Sequence, residues 1–180
     1  MQRRILAIIF VLTVTASWAQ APREDAALKH SVEQLRASVG RWDVTTEFLK
    51  PDGSVAKSVS GTYEFSWVVP DRVVAGRSEM PELKQVAGLL FYVNENARQI
   101  EMVSVAGDGR LWIMTGPLGG ETRVTQAYKT TQGGVGRLRF TRFNVAKDAF
   151  ESRMEYTEDD GKTWTPGNHQ KFRRVTGGKN

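Results

Sequence analysis

Few residues in this chain have the types and spacing that chemistry needs. Of 180 residues, two are histidine and none is cysteine. Thiol nucleophiles and thiolate metal sites are therefore excluded, as are disulfides and lipid attachment through a thiol. There is no Gly-x-Ser-x-Gly elbow, no His-Glu-x-x-His helix and no phosphate-binding glycine loop. Gly116-Pro117-Leu118-Gly119-Gly120 is glycine-rich, but no helical pattern follows it, so it reads as a loop. A pair of carboxyl groups can serve as general acid and base when their surroundings differ. Glu151 with Glu155, and Asp159 with Asp160, fall instead on the wet side of a strand and at a turn tip, as solvated charges do. Calcium at Asp159 and Asp160 is a thin expectation, because the further acids and closing Glu of an EF-hand are missing. His30 sits beside Lys29, off the apolar stripe of a helix, and reads as solvated. The sequence nominates no catalytic residue, no metal ligand and no cofactor, and the chain leans away from being an enzyme.

What remains is aromatic. Trp42, Phe48, Tyr63, Phe65, Trp67, Met102, Trp112, Phe140, Met154 and Tyr156 fall on the apolar sides of strand patterns and would line a cavity. Thr46, Ser66 and Ser152 would be its polar contacts. Such a wall suits a small apolar or amphipathic ligand. The same residues could equally pack on one another, since a period of two does not measure cavity volume.

The elements that must position this wall are strands. Trp42, Val44, Thr46 and Phe48 alternate with Arg41, Asp43, Thr45 and Glu47. Tyr63, Phe65, Trp67 and Val69 alternate with Thr62, Glu64 and Ser66, and Phe150, Ser152, Met154 and Tyr156 with Ala149, Glu151, Arg153 and Glu155. One dry and one wet face mark an antiparallel sheet. Further strands are expected near 72–80, 87–94, 98–106, 110–115, 121–129, 136–145 and 169–175. A change of phase within 136–145, from Leu138 and Phe140 to Phe143 and Val145, predicts a bulge. Turn residues such as Pro51-Asp52-Gly53, Gly107-Asp108-Gly109 and Gly133-Gly134 separate these runs. No helix lies between any two of them, so βαβ crossovers are excluded. About ten strands in up-and-down order would leave two edges, which closure into a barrel removes. One helix is expected over 23–38, with Leu28, Val32 and Leu35 as its apolar stripe, Glu24 and Asp25 in its first turn and Gly40 as its stop. It would close one end of an all-β, antiparallel, up-and-down barrel.

The N-terminus carries a different message. Arg3 and Arg4, the apolar run Ile5 to Val14 and Ser17-Trp18-Ala19 have the order of a signal peptide cleaved near Ala19. The run is about half of what a membrane-spanning helix needs, which disfavours an anchor. Removing residues 1–19 lowers the net charge from +5 to +3 and leaves a single domain over 20–175, with 176–180 as a frayed tail. Dispersed basic residues give no nucleic-acid footprint. Absence of cysteine favours a bacterial periplasm, or secretion, over a eukaryotic secretory route. The mature protein is expected to have no membrane span, and its oligomeric state is open.

Gly40-Arg41-Trp42, at the junction of the helix and the first strand, resembles the opening of calycins, the superclass of lipocalins and fatty-acid-binding proteins. There a Gly-x-Trp start is closed by an arginine of the last strand. The resemblance implies that Trp42 is covered by Arg173 or Arg174 in a cation–π contact, so that Gly40, Trp42, Arg173 and Arg174 are structural closure residues. Thr157, Asp159, Gly161, Thr163 and Trp164 resemble the Asp-box hairpin of sialidases. That hairpin occurs there in several copies, and its single copy here implies a turn and no glycosidase. With Gly61-Thr62-Tyr63, Gly76, Gly88-Leu89-Leu90-Phe91-Tyr92 and Phe172-Arg173-Arg174, the stretch Leu35 to Val175 is similar to a bacterial family of exported calycin-like barrels, domain-of-unknown-function family 1579. That likeness implies a fold and brings no reaction. His169 lies near the position of the proximal histidine in nitrobindin-type haem barrels. An inward Phe172 would turn His169 outward, which leaves it a weak haem candidate. Three readings follow: a ligand-binding barrel, a solid barrel with a structural or interaction role in the cell envelope, and a haem-binding or enzymatic barrel.

Overall fold

The computed structural model describes residues 25–176. The expected signal peptide, the first two residues of the expected helix and tail residues 177–180 lie outside the described residues. Helix α1 spans Ala26–Ser38. Asp25 is its N-cap, accepting from the amides of Ala27 and Leu28 at 3.1 and 3.2 Å, so it stands just before the first turn and not within it. The buried face of α1 is Ser31, Gln34, Leu35 and Ser38. The expected stripe is thus displaced: Leu35 is buried, while Leu28 and Val32 are only half-buried. The helix is seated by small and polar side chains around one leucine. Val39 is its C-cap, and Gly40, at φ +122°, already begins the first strand in a conformation that disfavours a side chain.

Eleven strands follow: β1 (Gly40–Leu49), β2 (Val55–Val69), β3 (Val73–Met80), β4 (Gln85–Asn94), β5 (Gln99–Ala106), β6 (Leu111–Pro117), β7 (Thr122–Thr125), β8 (Tyr128–Lys129), β9 (Val135–Phe143), β10 (Ala149–Thr157) and β11 (Thr165–Arg174). All but β8 form a ring in sequence order, each antiparallel to its neighbours. β9 pairs with both β7 and β10, and β11 pairs back onto β1. The protein is therefore a closed, up-and-down, antiparallel barrel of ten strands, calycin-like in form, with an N-terminal helix at one end. β8 is an accessory pair on β9.

Where the strands bend, they do so at Phe48/Leu49, Trp67/Val69 and Met154/Glu155. β9 shows no bulge: its pairing with β10 runs unbroken from Arg137 to Phe143. The phase change read there has another cause. Leu138, Phe140 and Arg142 continue the inner face, while Phe143 points outward and stacks on His169 at 5.7 Å, and Val145 lies exposed beyond the strand.

The core concentrates at the helix end. Leu35 packs with Val74, Phe91, Val93, Ile100 and Leu118, residues at the β2–β3, β4–β5 and β6–β7 turns. Beside it Trp42, Val44 and Phe172 form a second cluster. The Trp42 indole N–H donates to the Ser38 carbonyl at 2.8 Å, tying the first strand to the end of the helix.

Candidate functional site

Pairing registers sort every strand residue to one face. Trp42 opposes Tyr63 and Arg174, and Thr46 opposes Gln170. Phe65 opposes Gly76, Trp67 opposes Val74, and Met102 opposes Phe91 and Met114. Ser104 opposes Trp112, Phe140 opposes Met154, and Tyr156 opposes Leu138. Directly paired residues share a face, so all ten residues of the aromatic wall, with Thr46 and Ser152, lie on the inner surface. Ser66 pairs with Ala75 on the outer surface and is exposed. The inward serine nearest that place is Ser78, opposite Tyr63.

The lumen changes character along its length. Its floor, under α1, is closed: Trp42 is 1% exposed. Arg174 lies 4.2 Å from the Trp42 ring and donates to the carbonyls of Val39 and Ala37 at 2.6 and 2.8 Å. Arg173, one residue earlier, points outward. Phe150 stacks on Phe172 at 4.1 Å and meets Trp42 edge-on at 5.0 Å. Trp42 is therefore floor packing rather than reachable wall.

Above the floor runs a polar belt. Gln170 accepts from Ser152 Oγ at 3.3 Å and donates to Thr46 Oγ1 at 3.0 Å and to the Tyr63 hydroxyl at 3.4 Å. Burial pushes the Tyr63 phenol up, against the hydrogen bonds of Gln170 and Ser78. Beyond the belt, Phe48, Leu89, Met102, Ser104, Trp112, Leu138, Phe140, Met154 and Tyr156 face inward yet are only half-buried. Away from the rim, an inward side chain of a closed barrel meets solvent through the lumen. At the far end Trp112 meets Tyr128 edge-on at 5.4 Å. The Tyr128 ring lies where a Cβ on inward Gly136 would be, 2.5 Å away.

Sequence patterns missed the arginines of the floor. Arg123 is 3% exposed and Arg142 8%. Arg142 donates to both oxygens of Glu121, at 2.8 and 3.2 Å, and His30 Nε2 meets the same carboxylate at 2.9 Å. Burial raises the Glu121 carboxyl, but Arg142 and His30 outweigh it and hold it down at about 2. Arg123 donates to Gln34 Oε1 at 2.8 Å and lies 4.7 Å from the Phe91 ring. Its Nε, and Oδ1 of inward-facing Asn168, are buried without a hydrogen-bond partner.

On the outer surface several charged groups are paired. His169 contacts Glu151 at 2.6 Å and Glu47 at 3.4 Å, so the weak haem position faces outward between two carboxylates. Glu155 binds Arg139 at 2.8 Å, and Asp160 binds Arg137 at 2.6 Å. Asp159 accepts from Thr157 Oγ1, Thr163 N and Thr163 Oγ1. These bonds hold its carboxyl well below the usual range and account for it as a turn brace. Among the described residues no cluster of His, Asp and Glu could hold a metal ion, and no helix is long and apolar enough to cross a membrane. A cleft of about 400 Å³ also lies outside the barrel, between α1 and the β2–β3 turn, with Asp25, Arg36, Asp71 and Arg72 at its edges.

No protein-family model matches the chain, and no curated protein resembles it significantly in sequence. Solved structures resemble it in shape at low identity. An S-type phycobiliprotein lyase, CPES, from Guillardia theta is 13% identical over 81% of this chain and 93% of its own, with a TM-score of 0.48. A DUF3598-family protein of unknown function from Nostoc punctiforme is 12% identical over 79% of this chain, with a TM-score of 0.45; the chain spans about half of its length, 49%. EF1p2_mFAP2b bound to DFHBI is 13% identical over 81% of this chain and 98% of its own, with a TM-score of 0.39.

Proposed function

We propose that this is an exported, non-enzymatic barrel of the domain-of-unknown-function family 1579 type that holds a small apolar or amphipathic molecule in its lumen. The carrying observation is the half-buried inner wall beyond the belt. Apolar side chains such as Phe140, Met154 and Met102 are aimed inward without being sealed by one another, and burying that surface against a ligand releases water. The pattern Arg3-Arg4, Ile5 to Val14 and Ser17-Trp18-Ala19 supports export to the periplasm or medium. Native mass spectrometry of protein purified gently from its host, followed by solvent extraction, tests the reading. A stoichiometric adduct that partitions into organic solvent is expected. A clean apo mass, with no shift on adding extracted host lipids, would overturn it.

A second reading rests on the outer surface. Val86, Leu90, Val105 and Leu111 are 39%, 36%, 44% and 54% exposed and are neighbours across β4, β5 and β6. Such a patch suits a barrel that works by contacting another protein. Leu90→Glu would abolish that contact and leave lumen binding intact.

A further inference from the structure

We infer that the molecule in the lumen is a monoanionic amphiphile, such as an apolar monocarboxylate, whose acid group pairs with Arg123. This rests on the lumen-binding reading and adds the charge of the ligand. A buried guanidinium carries five N–H donors and a charge that is costly to hold without a counter-ion. Arg123 has one hydrogen bond, from Nη2 to the neutral amide of Gln34, and Nε has none. Among the described residues no carboxylate forms an ion pair with it. Glu121, the acid whose charge acts on Arg123, is already engaged by both Arg142 and His30. Arg142 thus has Glu121 as its partner and Arg174 has Asp148, while the Arg123 charge has none, which leaves the floor one positive charge in excess. Consistent with this, burial, aided by Arg142 and opposed by Glu121, lowers the Arg123 guanidinium to about 10.

The position of Arg123 sets how such a ligand would lie. Arg123 is opposite Phe140, which is opposite Met154, which is opposite Asn168. These four residues form one inner row across β7, β9, β10 and β11. Strands are about 4.8 Å apart, so the row spans roughly 14 Å of wall. It is cationic at one end and apolar in the middle, and it ends at Asn168 Oδ1, the other buried side-chain polar atom without a partner among the described residues. Met102 and Met114, paired across β5 and β6, stand beside it with flexible side chains that can repack around an entering head group. One excess charge calls for one negative charge, and the apolar row calls for a tail.

Calorimetry with dodecanoate and with dodecanol, on the wild-type protein and on Arg123→Met, tests this. The wild type is expected to bind dodecanoate at least about tenfold more tightly than dodecanol, as a charge-assisted pair in a dry site implies. Arg123→Met should remove that preference while raising the melting temperature of the unliganded protein, because an uncompensated charge has gone. Equal wild-type affinity for acid and alcohol would overturn the inference and leave lumen binding standing. A wild type that binds neither would overturn both. A lower melting temperature for Arg123→Met would show Arg123 to be a structural residue and also overturn the inference. The wild-type comparison does not depend on the variant folding.

Discussion

Arg174 closes the floor by covering Trp42 and by capping two carbonyls at the end of α1 that the helix cannot satisfy itself. Hydrogen bonds from a charged donor are worth about 1.5–3 kcal/mol, and a cation–π contact adds about 1 kcal/mol. With two such bonds lost, Arg174→Met is therefore expected to lower stability by about 4 kcal/mol, seen as a lower urea midpoint with an unchanged slope. An unchanged midpoint would show that the cap is not needed. This pairing was legible in advance from Gly40-Arg41-Trp42 and the late arginines, though not which arginine; alternation with inward Phe172 turns Arg173 outward and Arg174 in. Arg123 was not legible. In the short strand β7 the apolar residue is Val124, so period two read from hydrophobicity puts the wrong side inward. Only the pairing of Arg123 with Phe140 reveals that a charged residue occupies an inner position.

At the scale of elements, the strands were read more truly than the helix. The β1 and β10 alternations match their inner faces, and that of β2 does so from Tyr63 to Trp67, because paired strands of a closed wall keep one side inward. After the bulge at Trp67/Val69, Val69 pairs with outward Val73 and is exposed, against the expected alternation. The helix differs because it seats only one leucine and uses Ser31, Gln34 and Ser38 where the barrel floor is polar. Its anchorage also depends on charge, through His30 and Glu121. The folded-state value of Glu121 is depressed from 4.5 to about 2. Its contribution is thus present above the ordinary carboxylate range and lost as pH falls from about 4.5 towards 2. Replacing Glu121 with Gln should flatten the acid limb of the stability–pH curve, and an identical limb in both proteins would contradict the pairing. The glycines of the strands differ in the same physical way. A Cβ at Gly61 would meet the Glu79 carbonyl oxygen at 2.5 Å, whereas one at Gly88 meets nothing within 4 Å. Gly61→Ala should cost about 1–3 kcal/mol, while Gly88→Ala should fall within about 0.5 kcal/mol of neutral. Equal midpoints for the two variants would show that the strand contact at Gly61 relaxes freely.

For the whole molecule, closure followed from counting strands and edges: ten strands in sequence order, with β1 meeting β11, leave no open edge. Whether the barrel is full could not be read from residue order, because it depends on how far opposite walls stand apart. The observation that bears on it is the contrast between a sealed floor and a half-buried wall above it. Four of the five methionines, Met80, Met102, Met114 and Met154, face the lumen, and the fifth is Met1. Methyl-labelled methionine therefore reports almost wholly on the interior. The most direct measurement is the methyl NMR spectrum of the protein titrated with dodecanoate. Large, saturable shifts of Met102 and Met154, with Met80 nearer the rim moving less, are the result a ligand-holding lumen predicts. Methionine signals that stay fixed while the backbone amides of Val86, Leu90 or Val105 shift would contradict it and place the binding on the outer face.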